Sequence, residues 1–528
     1  MFLDCRKISR IAGVSLVHLT ILISSLDSIN AANIIAWFPI EIRSSVIFSE
    51  AIVNTLAAAG HDVTYVTSVP PNKYIENCTI INYQSDFTKH HVQIPDNLIN
   101  TGWYTHAKYW FSNQKEKFCF SDGVNRTVDH LKSLKKKYDL LIIPLTFFPK
   151  CFYPIAQEFN APVIGTNVLG SYYYADELVG NPRNLASISA DFKNSFFSAK
   201  VFWDRLWNLA DHIVFRSLIR EMDSVLHDAR FKRHFPNFDI DNLPKLSLLI
   251  NNNHPSIFLR PFMPNTIDVG GLHISAARDL PQNIKTFLDE AEHGAILFSL
   301  GSLVSSGAFD SKMAQMCLNV FARLPERVIW KYSENFTNTP PNVLVSKWLP
   351  QRDILAHNNV KAFITHCGFF GLQEAVYEGK PLVMLLFNVV DQGKNAAHMY
   401  KKGVGIPLQL NHLTEENLLN AIREIIDDKK YEKNMQHLSS LYKDRPMTPQ
   451  ETLIYWTEYV IRHKGATHLQ SETVDMPFYQ YFLLDILLFL LIILLILIWI
   501  SYLILKIIFQ YCLKTLKHPR KADSKKLN

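Results

Sequence analysis

Short apolar runs alternate with amphipathic stretches along most of the chain, the grammar of βαβ units and mostly parallel sheets. The first half opens with a predicted strand at 34–38, a helix across 47–59, and a second strand at 63–66 after the turn Gly60-His61-Asp62. Further strands are expected at 140–143 and 163–165, and the polar, proline-containing passage 275–281 reads as a linker. The pattern then repeats, with strands expected at 295–299, 328–330, 343–345, 362–365 and 382–386. Two such α/β halves facing each other set a ligand cleft outside the carboxyl ends of their strands.

Both ends of the chain carry membrane patterns. Arg6, Lys7 and Arg10 precede and open an apolar stretch, 11–23, which small residues follow as far as Ala31 and Ala32. That is the layout of a cleavable signal peptide, assigned to 1–32. The uncharged run 486–505 matches the roughly 20 residues needed to cross a hydrocarbon core of about 30 Å, and the transmembrane helix is assigned to 482–508. Lys506, Lys514, Lys517, Arg520, Lys521, Lys525 and Lys526 follow it. A basic flank marks the cytoplasmic side, so 509–528 is the cytoplasmic tail and everything before the span is lumenal. Lys525 and Lys526, fourth and third from the end, resemble the dilysine retrieval signal of type I membrane proteins of the endoplasmic reticulum. Asn77, Asn125 and Asn335 head glycosylation sequons that such an address makes usable.

Composition narrows the classes further. A chain of 528 residues with 48% hydrophobic content exceeds the roughly 250–300 residues of one core, so two domains plus membrane segments are expected. Much of the +6 net charge sits in the terminal tail, which removes a nucleic-acid footprint from consideration. The seven cysteines show no C-x-x-C spacing, so neither a zinc site nor a dense disulfide framework is signalled, while an isolated lumenal disulfide stays open.

The chemistry concentrates between residues 348 and 392. Trp348-Leu349-Pro350-Gln351 is followed by Thr365-His366-Cys367-Gly368, then Gly371, Glu374 and finally Asp391-Gln392. An indole face stacks on a nucleobase, an amide such as Gln351 pairs with base or ribose, and a carboxylate such as Glu374 accepts from ribose hydroxyls. A histidine ending a strand, with Gly368 and Gly371 opening the next helix, directs an imidazole and free amides at a diphosphate. Ser302 adds a hydroxyl and an amide to the same phosphates. Singly, each of these residues is an ordinary core or surface residue; their order and spacing carry the inference.

Together with 298–302, 269–273 and 462–466, these blocks resemble the signature of the UDP-glycosyltransferase family, which includes the animal UDP-glucuronosyltransferases. The resemblance covers nearly the whole mature chain. It implies an α/β fold of GT-B architecture, two Rossmann-like domains facing a cleft plus one C-terminal transmembrane helix. An acceptor-binding domain falls at 33–280 and a UDP-sugar-binding domain at 281–475. The implied activity is metal-independent, inverting transfer of glucuronate or glucose from a UDP-sugar to small lipophilic acceptors at the endoplasmic reticulum membrane. No cofactor is implied, Asp391 and Gln392 face the sugar hydroxyls, and homo- or hetero-oligomers stay open. The chain departs from the family at Phe370, where mammalian members often place an asparagine, and in the approach 385–390 to Asp391, one residue longer than usual. Asp239-Ile240-Asp241 has the form of a metal-holding triplet but lies away from the donor blocks, and is read as a solvated loop.

The larger departure concerns the base that deprotonates the acceptor, a contribution of about 10²–10⁴ in rate. The family places a histidine at the start of the first helix and an aspartate after a middle strand. Aligned without gaps, those positions hold Ser45 and Pro144, neither of which offers basicity or orients a base. Three readings follow. The chain is a transferase using already nucleophilic acceptors or a substitute base among Glu41, Glu50, His90 and His91; or a non-catalytic UDP-sugar-binding regulatory partner; or, last, a hydrolase or epimerase on a similar scaffold.

Overall fold

The computed structural model describes residues 31–517 except 72, 85–104, 106–107, 109–118, 146–148, 171–172, 183, 190–196, 302–308, 310, 334–335, 337 and 388–390. Most of the segment read as a signal peptide, residues 1–30, together with Ser302, Asn335, Lys525 and Lys526, therefore lies outside the described residues.

The first sheet contains β1 (Asn33–Phe38), β2 (Asp62–Thr67), β3 (Cys78–Asn82), β4 (Leu140–Pro144), β5 (Val163–Asn167), β6 (Leu246–Asn251) and β7 (Thr266–Asp268). They lie in the order β3-β2-β1-β4-β5-β6-β7, all parallel. The second sheet contains β8 (Ala295–Ser299), β9 (Arg327–Lys331), β10 (Val343–Ser346), β11 (Val360–Thr365), β12 (Leu382–Leu386) and β13 (Gly405–Gln409). Its order is β10-β9-β8-β11-β12-β13, again all parallel. Strand order reverses between β1 and β4 and between β8 and β11, the points where such sheets leave a crevice.

Helices cover both faces of each sheet, so central strands bury every residue. In β1, Ile35 and Trp37 enter one core while Ile34, Ala36 and Phe38 enter the other, the two-residue alternation of a strand. In β8, Ala295 and Leu297 pack on one side and Ile296 and Phe298 on the other. Strands appear at every position expected from the apolar runs. The helix expected over 47–59 begins a turn earlier, as α1 (Arg43–Ala58), with Ser44 and Ser45 inside its first turn. β3, β6, β7 and β13 were not expected. β3 and β13 are edges, and Pro407 within β13 is tolerated because an edge strand can lack one ladder donor.

Six further helices position the site or complete the lobes: α2 (Asp122–Ser133), α3 (Gln351–Leu355), α4 (Phe369–Tyr377), α5 (Gln392–Lys401), α6 (Lys429–Lys443) and α7 (Pro449–Arg462). Cys119 and Cys151 form a disulfide that ties the approach to α2 to the segment after β4. α7 is launched by a capping box, in which Thr448 Oγ1 accepts from the Glu451 amide at 3.1 Å and Glu451 answers the Thr448 amide at 2.8 Å. Although α7 follows the second sheet in sequence, its Leu453 and Val460 are buried with Ile34, Phe48 and Leu140 in the core of the first.

Residues 471–528 form a separate unit. Within its helix α8 (Leu484–Lys517), the stretch Leu484–Lys514 is long and apolar enough to cross a membrane, with a mean hydropathy of 3.2.

Leu453→Ala removes a fully buried side chain from the core of the first sheet. It is expected to destabilise the protein by about 2–5 kcal/mol, read as a lowered midpoint of thermal or urea unfolding.

Candidate functional site

β11 ends at Thr365, and the chain turns through His366, Cys367 and Gly368 before α4 begins. Cys367 takes a left-handed φ of 62°. The Thr365 hydroxyl accepts from the Cys367 amide at 3.2 Å, and Asn395 of α5 donates to the Cys367 carbonyl at 2.9 Å. The turn lays the half-buried His366 ring between two glycines. A Cβ on Gly301 would stand 2.5 Å from its Cε1, and one on Gly368 2.5 Å from its Nε2, so neither position admits a side chain. Burial, with help from the charge of Lys331, holds the imidazole down at about 4. It is neutral at physiological pH, and its buried Nδ1 has no partner.

Lys331, at the end of β9, was not singled out from the sequence. Its Nζ donates to the Gly301 carbonyl at 3.1 Å and lies 5.0 Å from the centre of the Trp348 indole. Its pKa is lowered by burial and by the charge of Arg43, in the first turn of α1. Trp348 is 64% exposed, a large apolar face left open beside a cation.

Gln351 starts α3 and donates from Nε2 to Glu374 Oε2 at 2.7 Å. Gly371 lies beneath that amide, where a Cβ would come within 3.1 Å of it. Glu374, on α4, is pushed up to about 7 by burial, against the lowering pull of the Gln351 bond and the Arg352 charge. At the turn after β12, Asp391 accepts from Asn395 Nδ2 at 2.7 Å and is pushed up to about 6 by its burial. Gln392 Oε1 accepts from the Phe387 amide at 3.1 Å, so this side chain braces its own turn. Trp348, Gln351, His366, Gly368, Gly371, Glu374, Asp391 and Gln392 thus all stand at or just past the carboxyl ends of β10, β11 and β12, and Asn395 and Lys331 link their turns.

The first lobe faces this edge through α1. Phe48 meets Phe370 of α4 edge-on at 6.4 Å, and Phe370 also lies against His273 at 4.6 Å. The residue that departs from the family at 370 therefore packs between the lobes. Ser45 is buried in the first turn of α1. Pro144 is the last residue of β4, beside Thr166 of β5. Glu50 of α1 is raised by burial, opposed by the Arg43 charge, whereas His90 and His91 lie outside the described residues. Asp239 is exposed, and its carboxylate caps its own turn through the Asp241 amide at 3.0 Å and Asn242 at 2.6 Å. Asn77 is exposed just before β3, while Asn125 lies within α2 with its amide 2.9 Å from His234 Nδ1.

The model of the family described as UDP-glucoronosyl and UDP-glucosyl transferase matches residues 34–519. The chain belongs to this family. This UDP-glycosyltransferase family member is 34% identical over 515 residues to UDP-glucosyltransferase 2 of Dactylopius coccus, covering 95% of this chain and 96% of that one. It is 30% identical over 502 residues to UDP-glucuronosyltransferase 1A10 of Homo sapiens, covering 90% and 92%. Among solved structures, UDP-glucose: anthocyanidin 3-O-glucosyltransferase in complex with UDP superposes with a TM-score of 0.54 at 16% identity, covering 82% of this chain and 99% of that one. Spinosyn forosaminyltransferase SpnP gives the same TM-score at 14% identity, with the same coverage. These likenesses give the fold, the GT-B pairing of two Rossmann-like lobes.

The Glu374 carboxyl makes a stability prediction for the family member. Raised from 4.5 to about 7, it favours the folded state fully below pH 4.5, and that contribution is lost as pH rises through 7. Glu374→Gln is therefore expected to raise the thermal midpoint at pH 8, by up to about 3 kcal/mol of stability, and to leave it unchanged near pH 4.5.

Proposed function

We propose that this protein transfers glucose or glucuronate from a UDP-sugar to small lipophilic acceptors, on the lumenal side of the endoplasmic reticulum membrane, from a single-pass type I anchor. The observation that carries the reading is the gathering of Trp348, Gln351, His366, Glu374 and Asp391 along one sheet edge beside the strand-order reversal of the second lobe. Uracil stacks on the exposed Trp348 face with Gln351 beside it, and Glu374 accepts from the ribose hydroxyls. The diphosphate lies at the amino end of α4, where Gly368 and the amides that follow it meet His366 and Lys331, and the sequence assigns Ser302 to the same phosphates. Asp391 and Gln392 address the sugar hydroxyls. The names of the relatives, a glucosyltransferase and a glucuronosyltransferase, support the choice of sugars. The Cys119–Cys151 disulfide suits an oxidising lumen.

In the transfer, the acceptor attacks the anomeric carbon opposite the nucleotide, the new glycosidic bond forms as the sugar–phosphate bond breaks, and UDP departs with the electron pair. Neutral His366 donates one hydrogen bond and Lys331 a positive field to the charge that develops on the leaving phosphate. The metal-independent, inverting course rests on the family resemblance. With Ser45 and Pro144 in place of the dyad, the acceptor proton must go elsewhere. Carboxylates arrive without one, amines lose theirs after attack, and a substitute base such as Glu50, raised by its burial, serves a hydroxyl. The same two residues favour a second reading, a UDP-sugar-binding partner of active relatives with no turnover of its own.

Calorimetry on the full chain in detergent is expected to show UDP binding, weakened about 5–150-fold by Trp348→Ala, the loss of about 1–3 kcal/mol of stacking. A protein that ignores UDP overturns the donor reading. With a panel of UDP-sugars and acceptors, glycoside formation is expected with carboxylates and amines ahead of phenols and alcohols. Binding without any product transfers the assignment to the second reading. Ser45→His combined with Pro144→Asp is expected to raise transfer to hydroxyl acceptors by about 10²-fold or more and to leave carboxylate acceptors unaffected.

A further inference from the structure

Behind the Glu374 carboxylate lies a histidine that the donor reading leaves without a role. His273 follows β7 in the crossover between the two sheets. Only 3% of its side chain is exposed, and neither ring nitrogen has a hydrogen-bond partner. An orphaned buried polar group is destabilising, so a role for the ring is called for. Its ring lies against Phe370, and its Nε2 faces Glu374 Oε1 at 4.0 Å, about 1 Å beyond an ordinary hydrogen bond.

The crossover cannot drift from α4. The Gly270 amide donates to the Asn253 carbonyl at 2.7 Å, the Gly271 amide to Gln373 Oε1 at 2.7 Å, and the Ile274 amide to the Gly271 carbonyl at 2.8 Å. Gly271 has a φ of 85°, and a Cβ there would strike the Tyr442 hydroxyl at 2.8 Å. Consecutive residues of α4 therefore address the same strand of chain, Gln373 at Gly271 and Glu374 at His273. Around the carboxylate, Gln351 holds Oε2 at 2.7 Å. Arg352 is paired with Glu378 at 2.7 Å and stacked over Tyr377. Burial and the Arg352 charge hold the His273 ring at about 3, so it is a neutral donor rather than an ionic partner.

We propose that His273 is a positioning residue for ribose recognition: its Nε2–H closes onto Glu374 Oε1 and fixes the carboxylate so that both oxygens face the vicinal diol of a bound nucleotide. A carboxylate has about four lone-pair sites. With Gln351 on one oxygen and His273 on the other, one site per oxygen is left, which matches two adjacent hydroxyls. The inference rests on the reading of Glu374 as the ribose acceptor.

The test compares UDP with 2′,3′-dideoxy-UDP by calorimetry on the full chain, with thermal melts to confirm folding of each variant. Wild type is expected to favour UDP by about tenfold or more, and Glu374→Ala to erase that preference. His273→Phe keeps a buried ring without a donor. It is expected to shrink the preference about 3–10-fold and leave dideoxy-UDP affinity unchanged, while His273→Gln, which keeps a donor, retains most of it. If His273→Phe does not fold, His273→Leu and His273→Asn supply the same contrast. A merely structural histidine weakens both ligands alike. An unchanged preference in the donorless variants, with Glu374→Ala still erasing it, overturns the positioning role alone. A wild type that binds both nucleotides equally overturns the ribose reading and the positioning role with it.

Discussion

Each sheet has both faces covered by helices, so the lobes of residues 31–470 have no free face with which to pack on one another. They meet through loops and helix ends, and one amide side chain pins the meeting. Gln373 Oε1 accepts from the Gly271 amide at 2.7 Å and from the Tyr442 hydroxyl at 2.9 Å, and its Nε2 donates to the Asn252 carbonyl at 3.1 Å. These bonds bring α4, the end of β6, the crossover and α6 together at a fully buried point. Within a low-dielectric interior such a network is strong when complete and unfavourable when broken. The placement of α4, and with it of every group that α4 carries, depends on this joint.

The fold was legible at most strands buried on both faces; β6 is the exception, fully buried but carrying the polar Ser247 and Asn251 that break its apolar run. Central strands such as β4, β8 and β12 bury each of their residues, and an unbroken apolar run records that directly. At the edges the record fades: β3 leaves Thr79, Ile80 and Asn82 exposed, and β13 contains a proline. The amphipathic pattern of α7 marks a buried face without naming the sheet it will cover, so its return to the first lobe could not be foreseen.

The candidate site was legible for a different reason, because several short blocks occur in a fixed order. Residues outside those blocks were missed. Lys331 is one charged residue at a strand end, and only three-dimensional proximity to Gly301 and Trp348 distinguishes it. Asn395 left a usable signal, since it stands four residues after Asp391, one helical turn away. The charge at the site is also smaller than the residue types suggest. Two imidazoles, His273 and His366, are held neutral, and two carboxyls, Glu374 and Asp391, are raised towards neutrality. Lys331, Arg43 and Arg352 then supply positive charge to the site, a balance suited to an anionic ligand.

The route of α7 bears on how such a chain can be made. During synthesis, amino-terminal domains usually fold first. Here the face of the first sheet that carries Ile34, Ala36 and Leu140 is sealed by Leu453, Val460 and Ala466. Ribosomes must deliver the entire second sheet before that seam can close, so a nascent first lobe waits with an open apolar flank, a natural client for chaperones.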